Sequence, residues 1–80
     1  MDESKKIKIL MQDRCTRKEA EKFLKTGTII YDDPQEYIDN LKENDCFDPE
    51  HDTLENYRRG VPDISMVKYN NREYLIAYCN

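Results

Sequence analysis

The sequence predicts a small single α+β domain, with two to three short helices packed on a small, mainly antiparallel sheet that ends in a C-terminal β-hairpin. Three observations carry this expectation. Helix starts are spelled out at Thr16 and at Asp33, each followed by an amphipathic run. Residues 61–80 hold two β-prone stretches around an Asn-Asn pair. Finally, 80 residues with 38% apolar side chains supply one thin core and no second domain. The apolar residues fall in periodic groups, and six tyrosines add large buried area, which argues against a disordered chain of similar polarity.

The first five residues carry no signal that ties them to a core. Over residues 5–11 the alternation of Lys6, Ile7, Lys8 and Ile9 predicts a half-buried strand. The spacing of Ile7, Leu10, Met11 and Arg14 also fits a helix; strand is the favoured reading. Thr16-Arg17-Lys18-Glu19 then forms a capping box, in which hydroxyl and carboxylate each serve the other residue's amide. Ala20, Phe23 and Leu24 make an apolar stripe, and Gly27 stops a helix predicted over about residues 17 to 26.

Thr28 to Tyr31 is β-branched and aromatic, which predicts a short strand. Asp33 caps a second helix, Pro34 takes its first position, and Glu36 is placed to close another box. Tyr37, Ile38 and Leu41 form its buried stripe. An acidic loop follows over residues 44–52. A short third helix is expected from Thr53 to Arg59, burying Leu54 and Tyr57 and stopping at Gly60.

The runs 63–69 and 72–79 flank Asn70-Asn71, two residues that tolerate positive φ, so a two-residue type I′ turn is expected. That turn pairs Tyr69 with Arg72, Lys68 with Glu73, Val67 with Tyr74 and Met66 with Leu75. One hairpin face then collects Ile64, Met66, Leu75 and Ala77, with a Lys68–Glu73 ion pair at its end. The other face collects Val67, Tyr69, Tyr74, Ile76 and Tyr78. The helices are expected on one side of the sheet, unless the sheet is sandwiched. The tyrosine face is then either covered by the N-terminal segment or the third helix, or left open as a contact surface.

Charge is segregated along the chain. From Gly27 to Glu55 there are ten carboxylates against one cation, Lys42, whereas the flanking segments are both net positive. A concentrated field of one sign selects partners in a way the mild net charge of −4 does not. Direct nucleic-acid binding is disfavoured, because this block repels phosphate and the Gly-aromatic strings of RNA-binding sheets are missing.

No cofactor motif is present: Gly27 and Gly60 both read as helix stops, and no glycine-rich loop precedes a helix. Asp45, Asp48, Glu50 and Asp52 lack the spacing and the glycine of an EF-hand loop. Cys46 and His51 form a weak metal or thiol candidate, without the close ligand pairs of structural zinc sites or a third orienting group. Three cysteines, far apart and odd in number, suggest reduced thiols and a cytoplasmic setting. No apolar run reaches the roughly 20 residues that span a bilayer, so no membrane partner is expected.

Recognition is therefore expected in place of catalysis. The predicted function is a non-enzymatic interaction module that binds a protein with a basic surface. Glu36, Asp39, Glu43, Asp45 and Asp48 would supply the charge, and Tyr74 and Tyr78 the apolar anchors. The alternative is an acidic mimic of nucleic acid that occupies a DNA-binding protein. A homodimer is also open, through the edge of the terminal strand, where Arg72 to Cys79 contains no proline.

Overall fold

Asp2, in extended conformation, accepts a hydrogen bond from the Lys5 amide at 2.8 Å and opens a helix where a strand was expected. The computed structural model describes residues 1–79. Its elements are α1 (Glu3–Gln12), α2 (Arg17–Lys25), β1 (Ile29–Tyr31), α3 (Pro34–Glu43), α4 (Leu54–Arg59), β2 (Ile64–Tyr69) and β3 (Arg72–Ala77). The strand expectation for residues 5–11 is thus overturned. Four residues of alternation are outweighed by an N-cap and by a wide apolar arc. Ile7, Ile9 and Leu10 are all buried, because α1 wedges between α2 and the sheet.

The Thr16 capping box forms as expected. Thr16 N–H donates to the Glu19 carboxylate at 2.9 Å, and the Glu19 amide donates back to the hydroxyl at 3.2 Å. The first of these bonds holds the Glu19 carboxyl below its usual range. Gly27 ends α2 at φ 100°, and the Thr28 amide closes on the Phe23 carbonyl at 3.1 Å. At α3 the cap differs from expectation. The Asp33 side chain accepts from the Gln35 amide at 3.1 Å, and the return bond from Glu36 is not among those formed by the described residues.

The hairpin is as predicted. Asn70 and Asn71 sit at φ 51° and 62°, and the register runs from Ile64 opposite Ala77 to Tyr69 opposite Arg72. One pairing within it changes. Glu73 lies opposite Lys68, but its carboxylate takes both Arg58 Nε at 3.0 Å and Arg58 Nη2 at 2.8 Å, a two-point geometry that a lysine has no means to match. Arg58 holds the Glu73 carboxyl below its ordinary range, with Lys68 adding only its charge.

Strand order is β1-β3-β2, antiparallel throughout. β3 is therefore the middle strand, paired on both sides, and has no free edge through which a second copy could add. Its residues also settle which hairpin face is buried: both are. Tyr74 and Ile76 join Ile7, Ile9, Leu10, Ala20 and Val67 under α1 and α2. Leu75 points the other way, into Ile38 and Tyr57 from α3 and α4. The helices thus cover both faces of the sheet and make three layers, the sandwiched alternative to helices on one side, and of the two covers expected for the tyrosine face it is the N-terminal segment, as α1, that takes Tyr74. Two apolar faces on a three-stranded sheet leave no other way to remove Tyr74, Leu75 and Ile76 from water together. Among the described residues no helix is long and apolar enough to cross a membrane.

Ile9 and Leu75 are both fully buried, in opposite clusters. Ile9→Ala and Leu75→Ala should each cost about 2–5 kcal/mol in urea unfolding. An Ile9 cost near zero would contradict the helical placement of residues 3–12. For the Arg58–Glu73 pair, a depressed carboxyl stabilises the fold above the unfolded pKa of about 4.3, and that stabilisation fades as pH falls through the lower folded value. Glu73→Gln should accordingly lower the melting temperature at neutral pH, and the gap from the wild type should close in strongly acidic buffer.

Candidate functional site

Packing on both sides of the sheet sorts the charges by layer. Residues 1–28, which hold α1 and α2, carry eight Lys or Arg against five Asp or Glu. Residues 32–59, which hold α3, the loop after it and α4, carry ten Asp or Glu against three Lys or Arg. The sheet between them is balanced. The molecule has a basic layer and an acidic layer on opposite faces, and Glu36, Asp39, Glu43, Asp45 and Asp48 are all exposed on the acidic one.

These five are not equivalent. Glu36, Asp39 and Glu43 stand on α3, with Asp39 accepting a bond from Gln35 at 3.2 Å. Asp45 ends that helix in the left-handed region at φ 54°, and the Cys46 amide then bonds back to the Leu41 carbonyl at 2.9 Å. Asp48 is engaged within its own loop. Its carboxylate meets His51 Nδ1 at 2.6 Å and accepts the Glu50 amide at 3.0 Å, and the His51 bond in particular depresses its pKa. The Asp48 amide in turn donates to Asp52 at 2.8 Å, and Asp52 accepts from the Tyr57 hydroxyl at 2.8 Å. Asn56 adds two bonds to the Glu50 and His51 carbonyls. The loop is thus fixed on α4 by its own polar residues, and Asp48 and Asp52 serve its shape first.

Cys46 and His51 are not brought into a shared bond. The thiol faces the Asn44 carbonyl at 3.3 Å while His51 is held by Asp48. Among the described residues no group of three or more His, Cys, Asp or Glu side chains is arranged to hold a metal ion.

The expected anchors lie elsewhere. Tyr74 is 2% exposed, with Lys5 Nζ 5.6 Å above its ring, so it belongs to the core under α1 and offers nothing to a partner. Tyr78 is half-buried against Phe23, with ring centroids 4.8 Å apart. Its hydroxyl donates to Asp13 at 2.6 Å and lies 3.6 Å from the Cys15 sulfur. Both tyrosines sit on the basic side of the sheet, away from the acidic layer that they were expected to assist.

The acidic layer has aromatic residues of its own, of which Tyr37 and Tyr57 are expected from the sequence only as buried stripe positions. Tyr31, Tyr37 and Tyr57 form an edge-to-face series with centroids 5.5 and 5.8 Å apart. Phe47 is half-buried in the loop, and Lys42, the one cation of the acidic block, lies 4.9 Å above its ring. Burial raises the Tyr37 phenol pKa, and the nearby Asp52 charge adds to it. A signal was available: Phe47 is the sole aromatic in an otherwise polar loop, and Tyr37 stands next to Glu36 on the same helix.

Comparison of the chain with protein-family models, with curated proteins and with solved structures finds no match. Fold and site therefore define a class only: a small three-layer α+β domain with one acidic, aromatic-bearing face.

Burial, followed by the bond to Asp13, pushes the Tyr78 phenol well above its ordinary value, and Tyr57 behaves likewise through burial and Asp52. Raised values mean that the neutral phenols stabilise the fold fully below pH of about 10, with the benefit lost as pH climbs beyond it. Tyr78→Phe should cost about 1–3 kcal/mol by leaving Asp13 short of a donor. An ultraviolet titration should show Tyr57 and Tyr78 ionising only as the protein unfolds, and the Tyr78→Phe variant should lose one such late phenol.

Proposed function

We propose that this domain is a non-enzymatic docking module whose α3–loop–α4 face binds a protein with a basic surface. The observation that carries the reading is the ten-to-three excess of carboxylates in that layer, with Glu36, Asp39, Glu43 and Asp45 exposed around half-buried Tyr37 and Phe47. Charge complementarity of this kind steers a cationic partner and fixes its orientation, while the aromatic rings supply the apolar part of the contact. Asp48 contributes by holding the loop in shape. Tyr74 and Tyr78 are replaced as anchors by Tyr37 and Phe47, which share a layer with the charges. The proposed setting is the cytoplasm, where the free thiols Cys15, Cys46 and Cys79 stay reduced.

Affinity capture from native extract at low salt, followed by quantitative binding of the recovered protein, tests this. Its affinity should fall by about tenfold or more as salt rises from about 0.05 M to about 0.5 M, because exposed charges are screened over that range. The triple variant E36K/D39K/E43K should lose the partner with its circular dichroism unchanged. Binding indifferent to both salt and charge reversal would remove the acidic face from consideration.

A further inference from the structure

The strand order leaves β1 hydrogen-bonded to β3 on one side only, so its outer edge presents backbone donors and acceptors without a neighbouring strand. A groove of about 290 Å³ follows this edge. It is lined by Ile29, Ile30 and Tyr31 of the strand, by Met1 and Lys6 on the α1 side of the sheet and by Asp32 and Glu36 on the α3 side, two banks of opposite charge. Ile29 lies opposite Ala77 and so faces the acidic layer, yet it is 52% exposed, the most exposed of the large apolar side chains. An apolar residue left half bare on an open strand edge, between banks of opposite charge, is the mark of a docking edge.

Charge separates an antiparallel second copy from an extended segment of a different protein at this edge. Two copies joined as antiparallel neighbours are related by a two-fold axis perpendicular to the sheet, so each layer lies beside its own counterpart. Lys6 would then face Lys6, and Glu36 would face Glu36. An extended segment of a different protein escapes this, because its side chains alternate between the two layers and each set meets one bank. Lys or Arg on the acidic side lays its aliphatic stem over Ile29 and brings its charge to Glu36.

We propose that the outer edge of β1 is a strand-docking groove, which a cationic extended segment of the partner enters as a fourth strand beside Ile29–Tyr31. The inference rests on the docking function proposed above and supplies the way the basic partner is held. Main-chain bonds provide affinity, and the Glu36 bank selects cations at alternate positions.

The test is a titration of isotope-labelled protein, followed by nuclear magnetic resonance, with the synthetic peptide acetyl-Thr-Val-Lys-Val-Arg-Val-Thr-amide. Two controls are the same peptide with Pro replacing the central Val and a version with Glu replacing both cations. The cationic peptide should shift the backbone resonances of residues 29–32 and slow amide exchange there. The Pro control should bind about tenfold more weakly, and the Glu control should leave β1 unmoved. Ile29→Lys and Glu36→Lys, both at exposed positions, should each weaken binding about tenfold, whereas Lys18→Ala, exposed on α2 and outside the groove, should leave it within about twofold. Shifts confined to residues 39–52 would overturn the groove while leaving the acidic-face reading intact. A titration that moves no β1 resonance, or β1 shifts that grow with protein concentration in the absence of peptide, would also overturn it, the latter in favour of a second copy.

Discussion

Tyr74, Leu75 and Ile76 are three consecutive residues, all buried, with side chains that must point to opposite faces of one strand. The rest of the structure follows from covering both ends of that alternation. A three-stranded sheet is too narrow to curl around its own apolar faces, so each face takes a pair of helices. Ile7, Ile9 and Leu10 close one side, and Ile38 and Tyr57 close the other. With only 80 residues, each core cluster is a few side chains deep. The polar bonds at the margins therefore matter in proportion: Tyr78 to Asp13 fastens the end of the sheet to the turn after α1, and Arg58 to Glu73 fastens α4 to the hairpin.

The same two-sided cover turns a linear charge pattern into a spatial one. Acidic residues that are neighbours in sequence between Asp32 and Glu55 become neighbours on one layer, because α3 and α4 share a face. Had all the helices packed on one side, Lys5, Lys18 and Lys22 would lie among these carboxylates and cancel them. The separation of layers is thus what turns a linear charge pattern into one acidic and one basic face.

Local chemistry was legible in the sequence wherever a few adjacent residues decide the outcome. The Thr16 box, Pro34 at the start of α3, the Gly27 and Gly60 stops and the Asn70-Asn71 turn with its whole register all needed only short-range information. Misreadings arose where distant residues decide. Residues 5–11 alternate over too few positions to specify a strand, and their helix is settled by the Asp2 cap and by a wide buried arc that α2 and the sheet create. Glu73 was assigned to its cross-strand neighbour, since nothing in the chain announces that Arg58, 15 residues earlier, reaches it. The site was half legible. Its charges were visible as a block, but the aromatic residues that share their layer could not be told from core until the sheet was known to be covered twice, and Tyr74 and Tyr78 lie on the opposite face.

The strand on which everything converges is also the last of the three in chain order, although it lies between the other two. During synthesis β1 and β2 therefore emerge with no partner to join, since they do not touch one another in the finished sheet. The four helices also all precede β3, each too short to persist alone in water. Assembly must wait for the hairpin to close and then occur as one event, in which β1 is drawn in across more than forty intervening residues. A nascent chain of this design stays soft until its third strand has emerged, which leaves its apolar stretches open to chaperones and proteases until then.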